Sequence, residues 1–220
     1  MFYFAYHVFI GTESNPRLFI FWDICPEPGM IRKNIKLLQL MEGLAENAVL
    51  KGAITLRHFA VRHRLILQDQ KGEMVYVIKA GITKCYITEE NGKDFILEFL
   101  GEGEVLGELE AIRGERAFSS VEAVTPLSVY TMSRGEFLYL LRTLPDLNAI
   151  IMELLATRVA NSAIRGARQQ LYSLSELLPQ LLSALDSQGL LFSKQDLAEY
   201  LGISVRSLNR LLKGRVRGER

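Results

Sequence analysis

Between Ala53 and Met132 the apolar residues come in short alternating runs: ITLRHF, RLILQ, MVYVIKA, ITKCYIT, DFILEFL, AFSSVEAV and LSVYTM. Lys71-Gly72, Gly81, Asn91-Gly92, Gly101, Gly103 and Gly107 separate them, and Asn-Gly between two such runs is a strong hairpin signal. The pattern predicts an antiparallel sandwich or small barrel. Past Met132 the period lengthens. Ser133 with Glu136 has the form of a capping box and opens a short helix that stops before Pro145. A second helix is predicted from Asp146 to about Leu171, where Leu147, Ile151, Leu154, Leu155 and Val159 recur at three-to-four spacing before Ala163, Gly166 and Ala167 take over.

A helix of about 25 residues spans nearly ~38 Å, longer than one small domain needs. Its stripe of Leu147, Ile151, Leu154, Leu155, Val159 and Ala163 is therefore read as a dimer interface, the other reading being a stripe packed on its own barrel. A further helix over Leu174 to Asp186 is expected to be interrupted by Pro179. Phe192 to Leu212 then reads as helix, glycine turn, helix. Ser193 with Asp196 caps the first helix, Gly202 supplies the turn, and Ser204 caps the second. Leu197, Ala198, Leu201, Ile203, Leu208 and Leu211 point inward, while Arg206, Asn209, Arg210 and Lys213 fall at i, i+3, i+4 and i+7 on the other side. A helix-turn-helix presents such a stripe to the major groove, where arginine binds guanine in bidentate fashion and lysine reaches phosphate. The candidate DNA contacts are Ser204, Arg206, Ser207, Asn209, Arg210 and Lys213, with Ser193 and Gln195 set to meet phosphates.

Four segments follow: 1–52, aromatic-rich and then helical, with no function assigned; the barrel at 53–132; the connector and dimer helix at 133–172; and the DNA-binding domain at 173–220. The length of 220 residues fits two compact domains and a connector. Hydrophobic residues at 49% exclude a largely disordered chain. The net charge of +1 conceals a partition, since the barrel carries 9 basic and 12 acidic residues and the last twenty-eight residues carry 7 and 3. A basic excess confined to the C-terminal end is the footprint of a polyanion contact. Cys25 and Cys85 are too few and too far apart for a disulfide framework or an iron–sulfur site, which points to a reducing, cytoplasmic setting. Residues 1–22 hold eight of the twenty aromatics, yet neither apolar run there is long enough to span a bilayer or has the flanks of a secretory signal, so no membrane is expected. His58 and His63 lack metal-ligand spacing, and no nucleophile set or Walker loop is present, so neither a metal nor an enzyme is expected.

Met74 to Gly81, the Asn91-Gly92 hairpin and the stretch GEGEVLGEL ending at Leu109 resemble the cyclic-nucleotide-binding barrel of the Crp/Fnr transcription regulators, a likeness that runs from about Ile54 to the C-terminus. The resemblance implies an α+β protein: an antiparallel β-barrel or jelly roll, a long dimerisation helix and a C-terminal helix-turn-helix of the winged-helix type. It implies a homodimer that binds double-stranded DNA and RNA polymerase under control of a small-molecule effector. In nucleotide-binding members a Gly-Glu pair meets the ribose and an arginine followed by a small hydroxyl residue holds the phosphate. Gly107 and Glu108 match the first element. Arg116 falls five residues before Val121 where the family has four, and Ala117 takes the expected place, so the expectation is a barrel that has given up the cyclic nucleotide. Gly107, Glu108, Arg116, Ser119 and Ser162 are carried as the effector pocket, the last matching a family hydroxyl on the long helix. The effector is otherwise unassigned, and the cysteine-rich start that holds an iron–sulfur cluster in oxygen-sensing relatives is missing. The recognition helix keeps the family arginine at Arg210 but has Arg206 where a glutamate is usual. After Lys213 only GRVRGER remains where the family continues into a wing, so either the sequence is truncated there or Arg215, Arg217 and Arg220 replace the wing electrostatically. The rival reading is a ligand- or partner-binding barrel whose shortened C-terminus no longer reads DNA.

Overall fold

A computed structural model describes residues 31–47, 52–187 and 192–218. The aromatic runs of the first twenty-two residues lie outside them. The strands form where the alternating runs predict: β1 (Ile31–Arg32), β2 (Thr55–Phe59), β3 (Arg64–Ile66), β4 (Met74–Ala80), β5 (Thr83–Thr88), β6 (Asp94–Leu100), β7 (Val105–Leu106), β8 (Ser120–Ala123) and β9 (Leu127–Ser133). Helices α1 (Ile35–Glu46) and α2 (Glu108–Arg113) flank or interrupt them, and α3 (Arg134–Thr143), α4 (Pro145–Leu171), α5 (Leu174–Ser187), α6 (Lys194–Leu201) and α7 (Val205–Gly218) follow. Two sheets result, in the orders β1-β6-β5-β8-β3 and β2-β9-β4-β7. All pairings are antiparallel except the two-residue match of β1 with β6.

Period-two alternation gives each sheet two working faces. Ile78 of β4 and Leu127 and Val129 of β9 turn inward, where they meet Cys85, Leu100, Leu106, Val121 and Ala123 between the sheets. Val75, Val77, Tyr130 and Met132, from the same two strands, turn outward and are covered by Leu37 and Met41 of α1, Phe137 and Leu140 of α3, and Leu147, Ile151 and Leu154 of α4. The five-stranded sheet is covered on its outer face as well. Tyr86, Ile96 and Phe99 pack there with Leu178, Leu197, Ala198 and Leu208, so the helices of the predicted DNA-reading end share one apolar cluster with the barrel.

The capping box at the start of α3 forms in full, with Glu136 N donating to Ser133 Oγ at 3.2 Å and Ser133 N to Glu136 Oε2 at 2.7 Å. The expected break at Pro179 does not occur. Helix α5 runs continuously from Leu174 to Ser187 with Pro179 inside it. Leu178, beside the proline, is only 3% exposed, and burial of that face in the apolar cluster it shares with Leu185, Leu197 and Leu208 holds the helix together where intrinsic propensity disfavours it.

Candidate functional site

Two groups of polar side chains stand out, one buried at the barrel and one exposed at the C-terminal end. At the barrel, Gly107 adopts φ +82° and caps α2; a Cβ there would meet the Met74 carbonyl oxygen at 2.7 Å, so the turn requires glycine. The turn drives Glu108 inward, where it is 2% exposed. Its partner is Arg158 of α4, which donates to Glu108 Oε1, to Glu104 Oε2 at 2.7 Å and to the Val105 carbonyl at 2.8 Å. Arg32 extends the cluster by donating to Glu98 Oε2 at 2.7 Å and standing 4.0 Å from Glu104. Burial pushes the Glu108 carboxyl upward against the pull of Arg158. The Arg158 guanidinium, although burial opposes its charge, is held above its ordinary value by Glu108, Glu104 and Glu98. Cys85 lies close by, its Sγ 3.0 Å from Ser119 Oγ, and burial pushes its thiol up to about 12.

The five effector-pocket candidates are therefore not one constellation. Gly107, Glu108 and Ser119 are at the barrel interior. Arg116 is exposed and donates to the Asp69 carbonyl at 2.8 Å, and Ala117, 1% exposed, takes the inward position beside it. Ser162 is exposed on α4. The dimer stripe divides in the same way. Leu147, Ile151 and Leu154 are 1–3% exposed within their own chain and have no surface left for a partner, which corrects their assignment to the interface. Leu155 is half-buried, Val159 is 71% exposed, Met152 is 62% exposed and Ala163 is exposed. A stripe at three-to-four spacing merges two neighbouring faces of a helix, and only packing separates them. Arg158 and Arg165 carry chemistry that sequence reasoning missed. The signal was their position, since 147, 151, 154, 158 and 165 continue one face and two arginines stand in an otherwise buried register.

At the other end, Ser193 Oγ accepts from Asp196 N at 3.0 Å and Ser204 Oγ from Ser207 N at 3.1 Å, capping α6 and α7. Gly202 takes φ +69° between them, and its N–H and that of Ile203 close onto the carbonyls of Glu199 and Ala198. Leu197, Ala198 and Leu208 are buried, as the inward pattern predicts. Arg206, Arg210 and Lys213 are exposed, Ser207 and Asn209 are half-buried, and Ser193, Gln195 and Ser204 are exposed. No ion pair among the described residues engages Arg206, Arg210 or Lys213. The two barrel histidines are engaged otherwise, His58 Nδ1 with Ser128 Oγ at 2.8 Å and His63 stacked on Phe59.

A cyclic nucleotide-binding domain model matches residues 56–143. The chain is 26% identical over 170 residues to the cAMP-activated global transcriptional regulator of Salmonella typhimurium, spanning 72% of this chain and 80% of that protein. It is 29% identical over 157 residues to the cyclic AMP receptor protein of Thermus thermophilus, spanning 67% and 70%. The likeness is to regulators of the Crp type. Among solved structures, the c-di-GMP responsive global regulator of Xanthomonas campestris has this fold with a TM-score of 0.70 at 17% identity, over 82% of this chain and 91% of that one. For a barrel similar to a cyclic nucleotide-binding domain, the charge inventory around Glu108 does not suit a phosphate. Three carboxylates, Glu98, Glu104 and Glu108, face two guanidiniums, Arg32 and Arg158, so the cluster carries a net negative charge where an anionic ligand needs a positive one.

Proposed function

We propose that this chain is a DNA-binding transcription regulator that works as a homodimer. Helix α7 reads a near-palindromic operator, with Arg206, Asn209 and Arg210 on base edges and Lys213, Ser193, Gln195, Ser204 and Ser207 on phosphates or the flanking backbone. The observation that carries the reading is the exposed stripe of Arg206, Arg210 and Lys213, engaged by no ion pair among the described residues, on a capped helix whose opposite side, at Leu208, is fully buried. The relatives named above are regulators, which supports a role outside enzyme chemistry. Dimerisation falls to the exposed side of α4, where Met152, Val159 and Ala163 remain after the buried residues are removed. That helix has the length and hydropathy to cross a bilayer, yet its opposite side is docked on the barrel through Leu147, Ile151, Leu154 and Arg158, which suits a helix shared between two soluble subunits. RNA polymerase and a cytoplasmic setting belong to the same reading.

The effector in this reading is not a cyclic nucleotide, because Arg116 faces the Asp69 carbonyl and the interior cluster is net acidic. Fluorescence anisotropy with duplex DNA at two salt concentrations tests the core of the proposal. Salt-sensitive binding with a sequence preference that Arg206→Ala/Arg210→Ala removes supports it. Binding that the double variant retains in full, or no binding by the wild type, overturns it.

A further inference from the structure

Helix α6 lies against β6 of its own barrel, and three kinds of contact hold it there. Phe99, fully buried on β6, packs its ring 4.3 Å from Phe192 and 5.7 Å from Tyr200. Lys84 of β5 places Nζ 2.8 Å from Asp196 Oδ1 and 3.7 Å from Glu199 Oε2, with Glu122 of β8 at 3.8 Å; these four side chains are only 12–15% exposed. Glu199 Oε1 accepts from Gln195 Nε2 at 2.7 Å, while its buried Oε2 accepts no hydrogen bond among the described residues and has the Lys84 ammonium as its nearby cation.

The third contact is Arg165 of α4. Opposite Cys85 and Tyr86, β6 skips Leu97 in the pairing, a bulge that leaves carbonyls outside the regular ladder. Arg165 donates to the Leu97 carbonyl, to that of Ile96 at 2.9 Å and to that of Tyr200 at 2.7 Å. Its guanidinium lies 4.0 Å from the Tyr200 ring centre and 5.1 Å from that of Phe95. The turn between α6 and α7 rests on the same strand, because a Cβ at Gly202 would come within 3.3 Å of Phe95. One arginine thus joins the long helix, the barrel and the first helix of the DNA-reading pair.

We infer that this contact is a clamp that fixes the pose of α7, with Lys84 and Arg165 as its positioning residues. The inference rests on the DNA-reading assignment above. With the clamp closed, the Lys84 ammonium offsets part of the negative charge of Asp196 and Glu199 beside the exposed start of α6, where phosphate contacts are assigned, and Arg206, Arg210 and Lys213 stay exposed. Because Arg165 belongs to the helix assigned to dimerisation, the clamp also fixes the distance between the two reading helices of a dimer. Without Lys84 the two carboxylates are left facing each other in low dielectric and facing phosphate outside.

The test uses the full chain as wild type, Lys84→Met, Lys84→Arg and Asp196→Asn/Glu199→Gln, the last removing the clamp's carboxylates without stranding a charge. The probe is the duplex that the wild type selects from a random-sequence library, together with versions carrying one base pair more or fewer between half-sites. We expect Lys84→Met to bind the parent duplex about tenfold more weakly. We also expect Lys84→Met and the double variant to lose the wild type's preference for one spacing, and Lys84→Arg to keep it. A general loss of stability would weaken binding without relaxing the spacing preference. Equal or tighter binding by Lys84→Met, or an unchanged spacing preference in both variants, overturns the clamp. Amide hydrogen exchange of the free protein reads the clamp without DNA. Faster exchange in α6 with β4 and β9 unchanged supports it, and unchanged exchange in α6 overturns it, even if the wild type selects no duplex and the DNA-reading assignment itself fails.

Discussion

Arg158 and Arg210 are the same residue type on helices of one chain, yet the first is 12% exposed and bonded to two carboxylates and a carbonyl, and the second is exposed with no ion pair among the described residues. The difference lies in what surrounds each helix. α4 is docked on the barrel along one whole face, so an arginine in that register must bring its counter-charges inside with it. Among the described side chains α7 buries its Leu208 side, so Arg206 and Arg210 keep their hydration and their charge for a partner. The first arrangement makes charge structural, and the second keeps it available.

Removing one member of the buried cluster breaks that comparison most sharply. Arg158→Met leaves Glu104 and Glu108 buried without their guanidinium, and is expected to destabilise the fold by about 3–5 kcal/mol in urea unfolding. Adding Glu104→Gln and Glu108→Gln recovers much of this. Arg210→Ala, by contrast, leaves the urea midpoint nearly unchanged and costs about 1–3 kcal/mol of discrimination at one operator position. A stability loss at Arg210 as large as that at Arg158 would erase the distinction. Ser133→Ala removes one arm of the capping box under α3 and costs about 1 kcal/mol, read as a shift in the thermal midpoint.

The smallest expected effect is a pH dependence with opposite signs at two carboxyls. Burial opposes ionisation of Asp196, but hydrogen bonds from Lys84 and Ser193 hold it below the ordinary carboxylate range. Its contribution is present above its unfolded pKa and is lost as pH falls through the lower folded value. Glu108 is shifted upward, so its ionisation works against the fold and protonation relieves that cost as pH falls through its raised folded pKa. Asp196→Asn therefore flattens the loss of stability below the usual carboxylate range, and Glu108→Gln removes a change above it. Urea midpoints measured across the acid range check both signs.

Much of the architecture was legible in the chain. Strands β2 to β6 and β8 fall inside six of the runs and β9 passes the end of the seventh by one residue, Ser133, because alternation and turn glycines are local signals that the pleat and the hairpin obey directly. The two-residue strands β1 and β7 and helix α2 carried no such pattern. Helix α7 was equally readable, since caps, a turn glycine and i, i+3, i+4, i+7 spacing all lie within a few turns. The site at the barrel was only half legible. Gly107-Glu108 announced the turn, but nothing near it in sequence pointed to Arg158, fifty positions on.

By itself, then, the sequence determined the order of the longer strands and helices past Ala53, the caps of α3, α6 and α7, the acidic barrel and the basic end, because each depends on residues close along the chain. Only the tertiary structure decided which side of α4 is spent on its own barrel, that Pro179 sits inside a continuous helix, that Arg116 turns away from Glu108, and that Lys84 and Arg165 bind α6 to the barrel. Those outcomes depend on side chains brought together across as many as 112 positions, as between Lys84 and Asp196. Burial and charge pairing at such separations are properties of the packed molecule, and no local pattern encodes them.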